Sequence, residues 1–486
     1  MIYKEIILSK NNLPVPVFCD NKTFCSKYDP EKEAEQFVSS IEKQDFFLMG
    51  GMGALYHINK LVEKFPDSFF LILENSEEDL TFLKNNFQEK FNLLSENKNI
   101  SICNIDNLEE KLTDLYIPAL YSTFKYISVQ SWAMHIDQRL IIEIINKSLK
   151  KISQDFSVQA HFGKIWQKNI IKNLKLIKDK KISIPVSKTA LIIAAGPTLD
   201  KKINFIREKR NDFYIIATDT GYKALLRNEI YPDCVVSVDG QNISHRHFMK
   251  KNAVDTLFIF ELTGDNSSAK KIYNSYRNIL FSVSQHPFEK LAENFNKKSF
   301  ISLDSTSGTV TVACVDFAKK MNFSKILVIG ADFGYPLHKS YAKGTYLDDI
   351  YGECQSKTKT FEQLHSGLMF RTELIKTDNK ITSELLKTYE KNFQLWCINN
   401  GLECSLRDEI YCIENNAEKS GNTQILTEKF PFEKFIKEIQ NEDNEQSLNI
   451  ALLPFISWMK NKKNNPSLPF NEYCKLARNF ISRYNL

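Results

Sequence analysis

The sequence predicts an α/β protein: a central doubly wound Rossmann-like sheet, a smaller N-terminal Rossmann-like domain, a helical connector and a helical C-terminal region. Three observations predict it. Short apolar runs alternate with amphipathic stretches, glycines stand where several of the runs end, and 486 residues are too many for one ordinary core. Strands joined by helical crossovers make a parallel sheet with helices on both faces. The expected boundaries are 1–120 for the N-terminal domain, 121–185 for the connector, 186–380 for the central domain and 381–486 for the C-terminal region.

In chain order, "DFFLMG" (45–50) reads as a strand, "GMGALYHINKLVEKF" (51–65) as a glycine-led helix, "SFFLILEN" (68–75) as a second strand and "EEDLTFLKNNFQEKF" (77–91) as a second helix. From about Ser122 to Lys181 the pattern is helical. Phe162, Trp166, Asn169, Ile170 and Asn173 share one face of it, which reads as packing, with the asparagines capping or bridging to a neighbour. "KLIKDKK" and "ISIPVSK" read as a linker or domain edge. Strands follow at "TALIIAA" (189–195), "FYIIAT" (213–218), "CVVSVD" (234–239), "TLFIFEL" (256–262), "NILFSV" (278–283) and "KILVIGAD" (325–332). After about Ile381 the chain reads as helical and charged, with "NEDNEQ" (441–446) as a solvated loop.

Composition narrows the function. Hydrophobic residues make up 43% and charged residues 25%, the profile of a globular enzyme rather than a disordered or fibrous chain. Lys and Arg total 64 against 59 Asp and Glu, so a net charge of +5 calls for neither nucleic acid nor anionic lipid as a partner. The N-terminus lacks a long apolar region with a cleavage site. "ALLPFISWM" (451–459) is too short to span a bilayer and is interrupted by Pro454, so a cytoplasmic protein without membrane insertion is expected. Ten cysteines without a CxxC pair point to reduced, buried thiols and not to a zinc ribbon.

Three stretches carry candidate chemistry. In the first, Gly196, Pro197 and Thr198 follow a strand and open a helix. A residue without Cβ, a fixed φ and a hydroxyl beside free amides make either an anion site or an ordinary strand-to-helix turn. In the second, Asp219 and Asp239 stand just past successive strands, where they can hold ribose or sugar hydroxyls, or cap helices. In the third, Thr306, Ser307 and Gly308 open an apolar helix, a strand then delivers Asp332, and a polar segment with Tyr335, His338 and Tyr341 reads as a lid. His245 and His247 read as helix-surface residues or acceptor contacts. "MGGMGAL" (49–55) with Glu74 imitates a dinucleotide or S-adenosylmethionine fingerprint, but its glycines fit GxGxxG poorly, so a structural role is preferred.

The triple "GPTL", "PDCVVSVDGQ" and "TSGTVTVACVDFAKKMNFSKILVIGADFGYP" resembles the Maf (motility accessory factor) proteins associated with flagellin glycosylation. More remotely, it is similar to the small bacterial sialyltransferases that use CMP-sialic acid, which share a Gly-Pro-Ser-Leu turn, a Ser-Gly-led helix and a Ser-Tyr-Ala segment, here Ser340, Tyr341 and Ala342. The match covers Thr189 to Tyr346, and "FGKIWQKNIIKNL" (162–174) also looks like Maf architecture. The resemblance implies transfer of a nonulosonic, sialic-acid-like sugar from its CMP derivative to Ser or Thr hydroxyls of flagellin, with no metal and no cofactor beyond the donor. It further implies that Gly196, Pro197 and Thr198 face the nucleotide, Asp219, Asp239 and Asp332 line the site, and Thr306, Ser307 and Gly308 meet the donor. Tyr335 and Tyr341 would hold the leaving phosphate, with His365 or His338 as base. Two positions depart from the sialyltransferases, Ala195 and Asp219, where those enzymes carry Asn. Archaeal-type hydroxymethylpterin diphosphokinases, which use ATP and Mg²⁺, share the Gly-Pro-Ser type of domain and give the rival reading. A non-catalytic flagellin-binding factor is the third.

Overall fold

The computed structural model describes residues 1–249, 255–276, 278–377, 380–416, 421–440, 445–463 and 468–485. These form two compact units, 1–161 with 456–473 and 162–455 with the C-terminal residues from Cys474. The connector is therefore not a separate body. Its long helix, Gln138–Leu174, carries the chain from the first unit into the second.

The first unit opens with an antiparallel ribbon that the sequence reading missed, β1 (Tyr3–Leu8) with β2 (Pro14–Phe18). β3 (Phe46–Gly50), β4 (Phe69–Glu74), β5 (Ile100–Asn104) and β6 (Phe124–Ser128) form a parallel sheet in the order β5-β4-β3-β6. Phe46 stacks on Phe69 and Phe47 on Phe70, at 5.1 and 5.5 Å between ring centres, which seals the register of β3 on β4. The second expected helix is two, Glu77–Asn86 and Gln88–Ser95. The chain breaks at Phe87, which leaves helical geometry to bury its ring.

The glycine-rich turn after β3 is closed by the protein itself. A side chain on Gly51 would meet Trp132 Cβ at 2.8 Å, the Trp132 ring lies against Gly50, and the Phe24 ring lies against Gly53. Glu74, fully buried, accepts from the Trp132 indole, from Met52 N at 3.1 Å, Tyr3 OH at 3.1 Å and Asn75 N at 2.9 Å. The acidic residue that would hold a ribose in a dinucleotide site holds an indole instead. Burial outweighs these donors and pushes the Glu74 carboxyl up to about 7. The folded unit therefore holds this proton more tightly than the unfolded chain. The stability this confers is complete below the unfolded value near 4.3 and is lost as pH rises through about 7. Calorimetric melts should show the gap between wild type and Glu74→Gln changing by several degrees, roughly, from pH 5 to 8, and a gap that ignores pH would refute the assignment.

The second unit is the expected doubly wound sheet, enlarged. β7 (Lys180–Pro185) is not a linker: it pairs antiparallel with the distant segment 422–427. β8 (Thr189–Ile193), β9 (Phe213–Thr218), β10 (Cys234–Ser237), β11 (Leu257–Glu261), β12 (Ile279–Val283), β13 (Ile301–Ser302) and β14 (Lys325–Ile329) run parallel. β15 (Ile375–Lys376) and β16 (Ile381–Thr382) make a small ribbon. β17 (Glu403–Arg407) and β18 (Ile410–Glu414) then extend the main sheet antiparallel beyond β14, and β19 (Asn422–Thr427) is the partner of β7. The wholly helical C-terminal region is thus corrected. Its helices include Glu384–Asn399, Phe432–Gln440 and Phe470–Ser482, and residues 441–444 of the expected loop lie outside the described residues.

Strand order is β13-β12-β11-β10-β9-β8-β14-β18-β17. The chain winds outward from β8 to β13 and then returns to β8's other side as β14. Ligands of such sheets sit at the carboxyl ends of the strands, where the winding reverses, here between β8 and β14. The helix face read as packing supports this edge: Asn169 donates to the carbonyls of Gly240 and Thr263 at 3.0 and 2.9 Å, and Asn173 to those of Leu262 and Gly264 at 3.0 Å each. The two amides satisfy carbonyls that leave the ladder after β10 and β11.

Candidate functional site

At the reversal point the Gly196 turn is packed against the end of β14. Gly196 N donates to Gly330 O at 2.7 Å, and a Cβ on Gly196 would lie 2.5 Å from that oxygen and 2.6 Å from Asp332 Oδ2. Thr198 donates its amide to Asp332 Oδ2 at 2.9 Å and its hydroxyl to the other oxygen. The next amides, of Leu199, Asp200 and Lys201, bond to Gly196, Pro197 and Thr198 carbonyls. The helix Leu199–Glu208 thus has its start capped by Asp332, and the amides of this turn, expected to meet a nucleotide phosphate or cytidine, bond within the chain. The glycine is there for close approach of the chain's own backbone and carboxylate. Burial raises the Asp332 carboxyl, against the bonds from Thr198.

The start of the helix Val310–Lys320 differs. It begins two residues after Gly308, has no side-chain cap and packs on β8, β9 and β10. Thr306 is turned aside, donating its amide and hydroxyl to Asp304 at 2.9 and 2.7 Å. Ser307 and Thr309 have buried hydroxyl oxygens without a protein partner, and so do Ser340 and Thr345 in the segment after β14. That segment folds back on the first turn, Ala342 N donating to Ala195 O at 2.8 Å. An unmet buried polar group costs about 1–3 kcal/mol, and these four hydroxyls lie on the segments that follow β13 and β14.

Asp219 is buried and opens the helix Asp219–Arg227. Its oxygens accept from Thr220 N at 2.7 Å and Ser237 Oγ at 2.8 Å. Asp239 accepts from Gln241 N at 2.9 Å, and burial raises its carboxyl. Tyr341 brings its phenol into this group. Burial and then the neighbouring Tyr346, Tyr335 and Asp219 push it up to about 12, so it remains a hydrogen-bond donor at neutral pH. The structure thus brings together Asp219, Tyr335 and Tyr341, and adds Tyr346 and Tyr351, which the sequence reading did not assign.

The two expected bases fare differently. His338 is exposed, on a short turn with φ 53°. His365, on the helix Phe361–Met369, lies between the rings of Tyr351 and Phe361, with Nε2 3.2 Å from Asp348 Oδ1. The adjoining helix Tyr346–Cys354 is fastened to Asp219–Arg227: Asp349 is clamped by Lys223 and Arg227, and Asp348 lies 3.7 Å from Arg227. The reading of His247 as a surface residue is corrected. It is 6% exposed, stands near Asp219 and Asp239, and meets the Tyr346 ring edge-on at 4.5 Å, whereas His245 is exposed. The spacing of His247 behind Asp239 was a signal for it; that of Tyr346 was not. Among the described residues no group of three His, Cys, Asp or Glu is placed to hold a metal ion, and no helix is long and apolar enough to cross a membrane.

Comparison with known proteins follows this geometry. Residues 166–337 match the family described as 6-hydroxymethylpterin diphosphokinase MptE-like. An uncharacterized protein of Treponema pallidum (strain Nichols) is 33% identical over 141 residues, 28% of this chain and 67% of that protein. The 6-hydroxymethyl-7,8-dihydropterin pyrophosphokinase of Methanocaldococcus jannaschii is 28% identical over 201 residues, 40% of this chain and 79% of that enzyme. The solved Maf glycosyltransferase from Magnetospirillum magneticum AMB-1 aligns with the whole of this chain and 87% of its own, with a TM-score of 0.52 and 11% identity. The chain belongs to one family with that Treponema pallidum protein, carries an MptE-like domain over residues 166–337, and shares the fold of the Maf glycosyltransferase.

Proposed function

We propose that the protein is a glycosyltransferase that moves a nonulosonic sugar from its CMP derivative to Ser or Thr hydroxyls of flagellin, in the cytoplasm. The observations that support this reading are the buried hydroxyls of Ser307, Thr309, Ser340 and Thr345 that lack a protein partner, the start of the Val310–Lys320 helix without a side-chain cap, and the buried Tyr341 phenol with Tyr335 near it. A helix start favours a phosphate, and phenols favour one that is gaining charge. In the reaction the bond from the anomeric carbon to the CMP phosphate breaks, its electron pair leaving with CMP. The acceptor oxygen bonds to that carbon and yields its proton to a base. In this reading Asp219 and Asp239 hold ribose or sugar hydroxyls. No cofactor beyond the donor enters.

The relationship to a pterin pyrophosphokinase favours a second reading, ATP- and Mg²⁺-dependent diphosphate transfer to a pterin alcohol. Titration calorimetry separates the two. CMP is expected to bind in chelator and to bind more tightly than AMP. ATP binding that requires Mg²⁺, with no CMP binding, would overturn the first reading. Intact-mass analysis of flagellin made with and without the protein tests the acceptor.

A further inference from the structure

We infer that His247 is the base that takes the proton from the acceptor hydroxyl, an inference that rests on the glycosyl-transfer reading above. The base must stand towards the carboxyl edge of the sheet, have a ring nitrogen that the fold does not use, and have carboxylates near it to stabilise its cationic form. His247 meets each condition. It sits on the turn Asn242–Phe248, separated from the end of β10 by four residues, and its buried Nδ1 has no partner. Asp219 and Asp239 stand near the ring; an open cleft of about 510 Å³ adjoins the turn, lined by Arg246 and Met249 but not by His247 itself, with Asp349, Gly352 and Glu353 of the helix after the lid as its other wall. His338 is out on the surface, and His365, whose buried Nε2 also lacks a hydrogen-bond partner, faces Asp348 Oδ1 at 3.2 Å between the Tyr351 and Phe361 rings, whereas His247 alone of the three has Asp219 and Asp239 beside it.

The charges around the ring suit a neutral base that must become cationic. Burial is the first influence and keeps the imidazole neutral, with Lys223 and His245 acting in the same direction. Asp219, from the helix after β9, and Asp239, from the end of β10, oppose them and would stabilise the imidazolium once it forms. Tyr346, from the lid side, fixes the ring by its edge-on contact. As the acceptor oxygen attacks the anomeric carbon, its proton passes to His247 and CMP departs with the electron pair. The proton then returns to solvent.

The test compares wild type, His247→Gln and His365→Gln in three measurements: CMP affinity, sugar transfer to flagellin, and the pH dependence of that transfer. His247→Gln is expected to keep CMP affinity, to lose about two orders of magnitude or more in transfer, and to lose the acid limb of the pH profile. A folded His247→Gln that transfers within about threefold of wild type with an unchanged acid limb overturns the inference. So does loss of that limb in His365→Gln. If His247→Gln does not fold, His365→Gln decides: a retained limb supports His247 and a lost limb overturns it. Wild type that transfers no sugar at all overturns the glycosyl-transfer reading itself, and the assignment of the base falls with it.

Discussion

Tyr341→Phe is expected to slow transfer by about one to three orders of magnitude while CMP affinity changes by less than about threefold. The split follows from where the phenol acts. Tyr341 is held near Tyr335, Tyr346 and Asp219 on the segment that folds back onto the Ala195 turn, and its hydroxyl, like any phenol, is protonated at neutral pH. A neutral donor bonds weakly to a phosphate diester in the ground state and strongly to the phosphate that gains charge as CMP leaves. Removing the hydroxyl therefore costs transition-state stabilisation and little binding. The measurement is transfer to purified flagellin at saturating donor, alongside calorimetry. If Tyr341 only packs the lid, the variant will be as fast as wild type and the phosphate role is lost.

The parts of the fold that the sequence made legible share one cause. β8 to β12 and β14 lie within a parallel sheet packed on both faces, so nearly every residue is apolar and the runs stand out, as Leu191, Ile192 and Ile193 do. β17 is a charged, mostly exposed strand at the end of the sheet, and β7 finds its partner some 240 residues away by the numbering. Such strands carry no local apolar signature, because long-range pairing and not propensity decides them. The candidate site divides similarly. Asp219, Asp332 and Ser307 were readable because each follows a strand or opens a helix, and Tyr341 because it stands in the Ser-Tyr-Ala segment after β14. Tyr346 was not, since only the return of the lid onto the Asp219–Arg227 helix, fixed by Asp349 with Lys223 and Arg227, brings it to His247.

The sharpest difference between sequence and structure lies at Gly196, and it fixes the other large effect. Were Gly196 a place of approach for a ligand phosphate, valine there would abolish binding in a normally stable protein. In the structure the missing Cβ faces Gly330 O at 2.5 Å and Asp332 Oδ2 at 2.6 Å, both closer than any real side chain tolerates. One of these is backbone at the end of a central strand, and the other is the carboxylate that caps the next helix. Neither can yield without parting β8 from β14 at the reversal of the sheet. Gly196→Val is therefore expected to cost about 3 kcal/mol or more, enough to lower the melting temperature of the second unit by roughly 10 °C, or to leave the protein insoluble. Asp332→Asn makes the informative companion. It keeps the volume and one acceptor for Thr198, and should cost about 1–2 kcal/mol, the value of a charged cap over a neutral one. Differential scanning calorimetry of the three proteins checks the order. A Gly196→Val protein that melts with wild type would mean that the turn stands open to a ligand after all.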